Sequence, residues 1–208
     1  MKLLIFGATG GTGRQLVEQA LGQGHAVTAF ARNPARLDIK HANLSVAQGD
    51  VLDFASVVPA MQGQEAVLAV LGTPARKERT VRSEGTRNIV RAMEQVGVRR
   101  LISQSTVGIG DSQEMLPFRY KYILVPLLLR DAFAEHERQE HHIRQSQLEW
   151  TIVRPGALTN GNHTGVYQHG LDVTDRIKVK VSRADAADFI LKQLPDETYV
   201  RRTPWVSY

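Results

Sequence analysis

With 208 residues, 42% of them hydrophobic, the chain is long enough for one well-buried domain and short for two. It has no cysteine, which excludes disulfides and thiolate metal sites and fits a reducing cytoplasm, and no stretch approaches the roughly 18 apolar residues of a membrane span. The net charge of +5 is carried by scattered arginines with few aromatics among them, so a phosphorylated cofactor and an acidic substrate are expected as partners, not nucleic acid or a membrane.

The chain opens MKLLIFGATGGTG. An apolar run from Leu3 to Phe6 reads as a strand, and it ends in a turn built from Gly7, Thr9, Gly10, Gly11, Thr12 and Gly13. An amphipathic helix pattern follows, with Leu16, Val17, Ala20 and Leu21 on one stripe. A strand entering a glycine-rich turn and then a helix is a phosphate-binding device. Its backbone approaches the ligand closely, and the helix N-terminus offers free N–H groups and partial positive charge.

His25 to Ala31 reads as a buried second strand. About twenty residues beyond such a turn, an NAD-binding fold places an acid that holds the ribose hydroxyls. Here the residues are Ala31 and Arg32, with Arg36 four further on. A carboxylate repels a ribose phosphate and a guanidinium grips it, so the expected cofactor is NADP(H), with Arg32 the principal clamp and Arg36 the second. Leu44 to Ala47 is a third strand. Beyond it Asp50 is placed to accept from the adenine amino group, with Val51 or Leu52 packing on the ring, the plainer alternative being that it caps the helix from Phe54 to Met61, a role that falls to Asp53. Ala66 to Leu71 is a fourth strand, and Leu71, Gly72 and Thr73 bring backbone past ribose and pyrophosphate. Glu78 to Val96 reads as a helix with Asn88 facing back toward the site.

Arg100 to Gln104 is a fifth strand that runs into Ser105 and Thr106, hydroxyls at the strand end where a hydride acceptor meets a nicotinamide; the plainer alternative is that they only satisfy the strand end. Residues 111–130 form an apolar, aromatic-flanked segment that suits a substrate lid, a core helix or a dimer face. Ala132 to Ser146 is a polar helix holding His136, His141 and His142, whose spacing does not suit a metal, so none is expected. Leu148 to Arg154 is a sixth strand, after which Pro155 and Leu158 pack on the nicotinamide side. Asn160 to Gly165 is a polar loop, Ile177 to Val181 a short strand, and Ser182 caps a helix through Leu194. Trp205 and its neighbours add an edge strand. No linker or repeat interrupts this alternation, so the fold expected for residues 1–208 is α/β, a single Rossmann-type domain with a doubly wound parallel sheet and helices on both faces.

GATGGTG, the GD after the third strand, LGT after the fourth, SEGTRNIV in the next helix and WTIVRPGALT together resemble the atypical short-chain dehydrogenase/reductase group. Within it the match is to the biliverdin IXβ reductase/flavin reductase family, with NmrA-like NAD(P)-binding relatives behind. The resemblance implies an NADPH-dependent reductase of flavins or linear tetrapyrroles, the flavin being a substrate and not a bound prosthetic group. Ser105 and Thr106 then carry the catalytic role, with the Val107 backbone on the nicotinamide carboxamide and Arg130 near tetrapyrrole propionates. The departures are informative. The Tyr-x-x-x-Lys pair of ordinary short-chain dehydrogenases is missing, its places falling on Ala132 and His136, and a substrate-side histidine of the family is replaced by Ala157. Direct hydride transfer to a flavin needs neither. The alternative function is a non-catalytic NADP(H)-binding redox sensor or assembly factor. The expected state is a cytoplasmic monomer or weak homodimer.

Overall fold

The computed structural model describes residues 1–72, 80–116, 118–172 and 178–208. Thr73, the start of the helix expected from Glu78, and the start of the strand expected from Ile177 lie outside the described residues. In chain order the elements are β1 (Lys2–Phe6), α1 (Gly11–Gly22), β2 (Ala26–Ala31), a 3-10 turn (Pro34–Arg36), β3 (Leu44–Gln48), α2 (Phe54–Met61), β4 (Ala66–Ala69), α3 (Val81–Val96) and β5 (Arg100–Gln104). A 3-10 stretch (Gly110–Met115) and a π-helical stretch (Tyr120–Leu129) follow, then α4 (Arg130–Arg144), β6 (Glu149–Pro155), β7 (Ala157–Thr159), β8 (Gln168–Gly170), β9 (Lys180–Ser182), α5 (Arg183–Lys192) and β10 (Trp205–Ser207).

Period-two alternation in β1 sends its side chains to two different cores. Leu3 and Ile5 join Leu16, Val17, Phe189 and Ile190 under α1 and α5. Leu4 and Phe6 join Val57, Met61, Ile89 and Met93 under α2 and α3, with Ile143 of α4 in the same cluster. A strand buried on both faces needs an unbroken apolar run, and LLIF is one. The expected helices on both faces of a mostly parallel sheet are therefore present.

The eight-stranded sheet has the order β3-β2-β1-β4-β5-β6-β10-β8. From β1 the chain builds outward to β2 and β3, then returns to β4 on the other side of β1, where Phe6 pairs with Ala69. The carboxyl ends of β1 and β4 flank this reversal, which is where a doubly wound sheet opens its crevice. Asp53 caps α2 by accepting from Ala55 N–H at 3.1 Å, and Ser182 caps α5 by accepting from Asp185 N–H at 2.9 Å, as the sequence leads one to expect.

Two expectations need correction. β10 is not an edge strand: it pairs in parallel with β6 and antiparallel with β8, which covers its other side. The 118–129 segment is not a core helix either, because Phe118, Leu127 and Leu128 are 73%, 74% and 75% exposed. Among the described residues, no helix is long and apolar enough to cross a membrane.

Candidate functional site

A cleft of about 610 Å³ runs along the carboxyl ends of the strands. Its middle is the glycine turn. Gly7 sits at φ +81°, and a Cβ there would lie 2.4 Å from Val70 O; one on Gly13 would lie 2.0 Å from Gly7 O. Strand, turn and helix therefore close to backbone contact, and only glycine permits it. Gly10 is the N-cap of α1 and brings no side chain to the first-turn N–H groups, which leaves that helix end for an anion. Gly7, Thr9, Gly10, Gly11 and Thr12 line the cleft, whereas Gly13 is buried beneath the turn and acts by packing. Over Gly11 lies the side chain of Arg183, close enough that a Cβ on Gly11 would meet its Cδ at 2.6 Å; its Nη1 donates to Asn160 Oδ1 at 2.6 Å.

One end of the cleft is bounded by Phe30, Ala31, Arg32, Arg36, Gly49 and Val51. Both arginines are exposed, and Asn33 Oδ1, accepting from Ala35 N–H at 3.1 Å, caps the turn that carries Arg36. Asp50 departs from its expected place. It does not line the cleft, because its Oδ1 accepts from Leu52 N–H at 3.0 Å and folds the carboxylate onto its own loop. Asn88, expected to face back, donates from Nδ2 to Val51 O at 3.0 Å and Leu52 O at 3.1 Å, so it holds the backbone beside Val51.

At the other end stand Gln104, Ser105, Thr106, His136, Arg82, Pro155 and Leu158, with Leu71 and Gly72 between the two ends. Ser105 is 2% exposed, and its Oγ lies 3.4 Å from His136 Nδ1. Burial, reinforced by the nearby charge of Arg82, pushes the His136 imidazole down to about 3, so it is neutral at physiological pH. Thr106 donates from Oγ1 to Val107 O at 3.2 Å. Val107, whose backbone was expected to hold the carboxamide, is 2% exposed and does not line the cleft; its N–H donates to Pro155 O at 3.0 Å and its O accepts from Thr106 Oγ1. Arg130 is likewise displaced. It sits at the exposed start of α4 beside a separate pocket with Lys121 and Phe133.

The model of a family described as NAD(P)H-binding matches residues 7–197. The chain belongs to that family. Among curated relatives, the photosystem II assembly factor Ycf39 of Synechocystis sp. is 23% identical over 218 residues, covering 98% of this chain and 61% of that protein. The chain thus spans about three fifths of the length of the curated relatives it first matches. Among solved structures, the oxidoreductase ylbE of Lactococcus lactis superimposes with a TM-score of 0.86 at 20% identity, covering 100% of this chain and 90% of that one. The anaerobillin reductase ChuY of Escherichia coli O157:H7 does so with a TM-score of 0.81 at 25% identity, covering 100% and 97%. Family and fold agree with the resemblance read from the glycine turn and strand-end motifs.

An NAD(P)H dinucleotide fits this cleft on local grounds: a glycine turn closed to backbone contact, an uncapped helix end, and arginines at one edge. Three titratable residues of the described lining, Arg82, His136 and Arg183, have no place in the site read from sequence. His136 had a signal, since it occupies the register of the missing lysine. Arg82 and Arg183 had none, because each meets the cleft only through the packing of α3 and α5. Among the described residues, no group of three metal-ligating side chains gathers.

Proposed function

We propose that residues 1–208 act as one cytoplasmic NADPH-dependent reductase domain whose acceptor is a flavin or a linear tetrapyrrole. The observation that carries this reading is the continuity of the cleft, in which Arg32 and Arg36 share one space with Ser105, Thr106 and His136. A cofactor laid along the glycine turn spans the distance between a phosphate-binding edge and a group of hydroxyls. Arg32 and Arg36, with no carboxylate among the described residues lining that edge, favour NADPH over NADH.

Bound reduced nicotinamide supplies a hydride, and a conjugated acceptor is its own electron sink. The protein's contribution is positioning. Pro155 and Leu158 form an apolar wall, Ser105 is oriented by His136, and Thr106 is tied to the strand end. Where ordinary short-chain dehydrogenases carry a lysine, this chain has a neutral histidine, which supplies no charge to lower a hydroxyl pKa. Alcohol or ketone chemistry is therefore disfavoured, and the proton that follows the hydride comes from water. A second reading, an NADP(H)-binding assembly factor or sensor, draws on the similarity to Ycf39 and on the exposed Phe118, Leu127 and Leu128.

The test is nicotinamide oxidation with FMN or biliverdin as acceptor, using NADPH and then NADH. Turnover with a marked NADPH preference is expected. Arg32→Ala removes charge-assisted hydrogen bonds worth about 1.5–3 kcal/mol, so NADPH affinity falls roughly 10- to 150-fold while NADH is nearly unaffected. Tight NADPH binding with no acceptor turnover transfers the case to the sensor reading. Equal use of NADH removes Arg32 from the ribose phosphate.

A further inference from the structure

Among the described residues, four arginines line the cleft: Arg32, Arg36, Arg82 and Arg183. The first two stand together at the ribose-side edge, and Arg183 lies across the glycine turn with Asn160 as its partner. Arg82 is different. It is the second residue of α3, half-buried, and it shares the far end of the cleft with Ser105, Thr106 and His136. Its charge reaches His136 strongly enough to help keep that ring neutral.

The Arg82 Nε is buried with no hydrogen-bond acceptor. The carboxylate whose field it feels is Glu135, but that group is already engaged. Glu135 Oε1 accepts from Ser83 Oγ at 2.9 Å and from Arg138 Nε and Nη2 at 3.1 and 2.6 Å; Oε2 accepts from Ser83 N–H at 3.1 Å and Oγ at 3.0 Å. Burial works to lower the Arg82 pKa, and yet a guanidinium does not discharge in a protein. A desolvated cation with an unmet donor is an unfavourable thing to keep unless an oxyanion completes it. The planar fork matches a carboxylate or phosphate.

We infer that Arg82 is the anion anchor of the acceptor end of the cleft, and that the acceptor carries a carboxylate or phosphate oxyanion which Arg82 binds. This rests on the reductase reading for the word acceptor. The glycine turn and the Arg32 edge serve the phosphates of the cofactor, and Arg82 stands apart from both, beside the hydroxyls. It takes the part that the sequence alone assigned to Arg130. The shared chemistry has two sources among the proposed acceptors: the phosphate of FMN and the propionates of a linear tetrapyrrole.

The experiment measures equilibrium binding to the NADP+-loaded full chain, comparing FMN with riboflavin and biliverdin with its dimethyl ester. Arg82→Gln should weaken the oxyanion-bearing member of a pair about 10- to 150-fold and leave its neutral counterpart within about twofold, with Arg82→Lys intermediate. NADP+ affinity, measured on the same variants, should not change and doubles as the check that they fold. The inference is overturned if NADP+ weakens with the acceptor, which makes Arg82 a cofactor clamp. It is also overturned if both members of each pair weaken alike, or if neither FMN nor biliverdin binds the wild-type protein. Since binding needs no turnover, the two readings fail separately. Oxyanion binding through Arg82 without NADPH oxidation sinks the reductase alone, and equal turnover of FMN and riboflavin by wild type and Arg82→Gln sinks the anchor alone.

Discussion

His136 is the residue whose state most constrains the chemistry. Its folded pKa of about 3 lies below the ordinary 6.5, so between those values the unfolded chain takes up a proton that the folded chain refuses. The stabilisation from keeping the ring neutral is complete above about pH 6.5 and is lost as pH falls toward about 3. His136→Asn should flatten that part of the stability profile, read by chemical denaturation at several pH values. An unchanged slope would mean that the ring is solvated or charged in the folded state. The same neutrality predicts that the rate of reduction shows no ionisation from this histidine near neutral pH. Arg32 and the glycine turn were legible because local spacing alone positions them. The partnership of His136 with Ser105 was not, since it joins residues 31 apart in sequence and exists only once α4 packs beside β5.

At the scale of elements, α4 is held to the sheet by a buried ion pair. Arg154 of β6 is 1% exposed, and its Nε and Nη2 donate to Glu140 Oε1 and Oε2 at 2.9 and 2.8 Å, a bidentate pairing. Arg154 also binds Asp111 of the 3-10 stretch, and Arg144 donates to Glu140 Oε2 at 2.9 Å. Glu140 lies one turn beyond His136 on the same helix face, so this pair fixes the depth at which His136 meets Ser105. Removing one partner strands the other: Arg154→Met should cost about 3–5 kcal/mol, measured by urea unfolding. Pairing it with Glu140→Leu should recover part of that loss, because an apolar pair needs no charge compensation. A single-variant cost below about 1 kcal/mol would show that solvent already screens the pair. Nothing in the sequence marks Arg154 as internal; it sits at the end of the apolar run WTIV in a strand, and only the partner helix explains it. By contrast α2 and β5 fall on the bounds read from sequence, 54–61 and 100–104, because an N-cap and apolar periodicity are local signals. In the π-helical stretch only the core-helix alternative fails: an apolar composition suggests burial, yet Leu127 and Leu128 are exposed.

Across the whole molecule, the late part of the chain is gathered by Asp185, which is fully buried at the start of α5. It accepts from Thr164 N–H at 2.7 Å, Gly165 N–H at 2.9 Å, Thr164 Oγ1 at 2.8 Å and the Tyr208 hydroxyl at 2.7 Å. One carboxylate thus joins the 160–165 loop, α5 and the residue after β10, and its neighbour Arg183 lies over the glycine turn. Burial works to raise the Asp185 pKa, but the hydrogen bonds from Tyr208, Gly165 and Thr164 overcome it and hold the group down at about 2. A depressed carboxyl contributes stability above its unfolded pKa and loses it as pH falls through the folded value. The window is therefore from about pH 4 down to about pH 2, and the contribution is on the order of 2 kcal/mol. Tyr208→Phe removes the first of those bonds and the acceptor of Ser182 N–H, and should cost about 1–2 kcal/mol at neutral pH. Because the weakened carboxyl then protonates earlier, the difference between variant and wild type should narrow at the acid end of the window. Denaturation of both proteins at neutral pH and near pH 2 decides it: a gap that stays constant would mean that Tyr208 acts on Ser182 alone and that Asp185 is held without it. The variant should also loosen the cleft at a distance, since the loop that carries Asn160, the partner of Arg183, is anchored by the same carboxylate; NADP+ affinity falling together with the neutral-pH stability is the expected sign of that coupling.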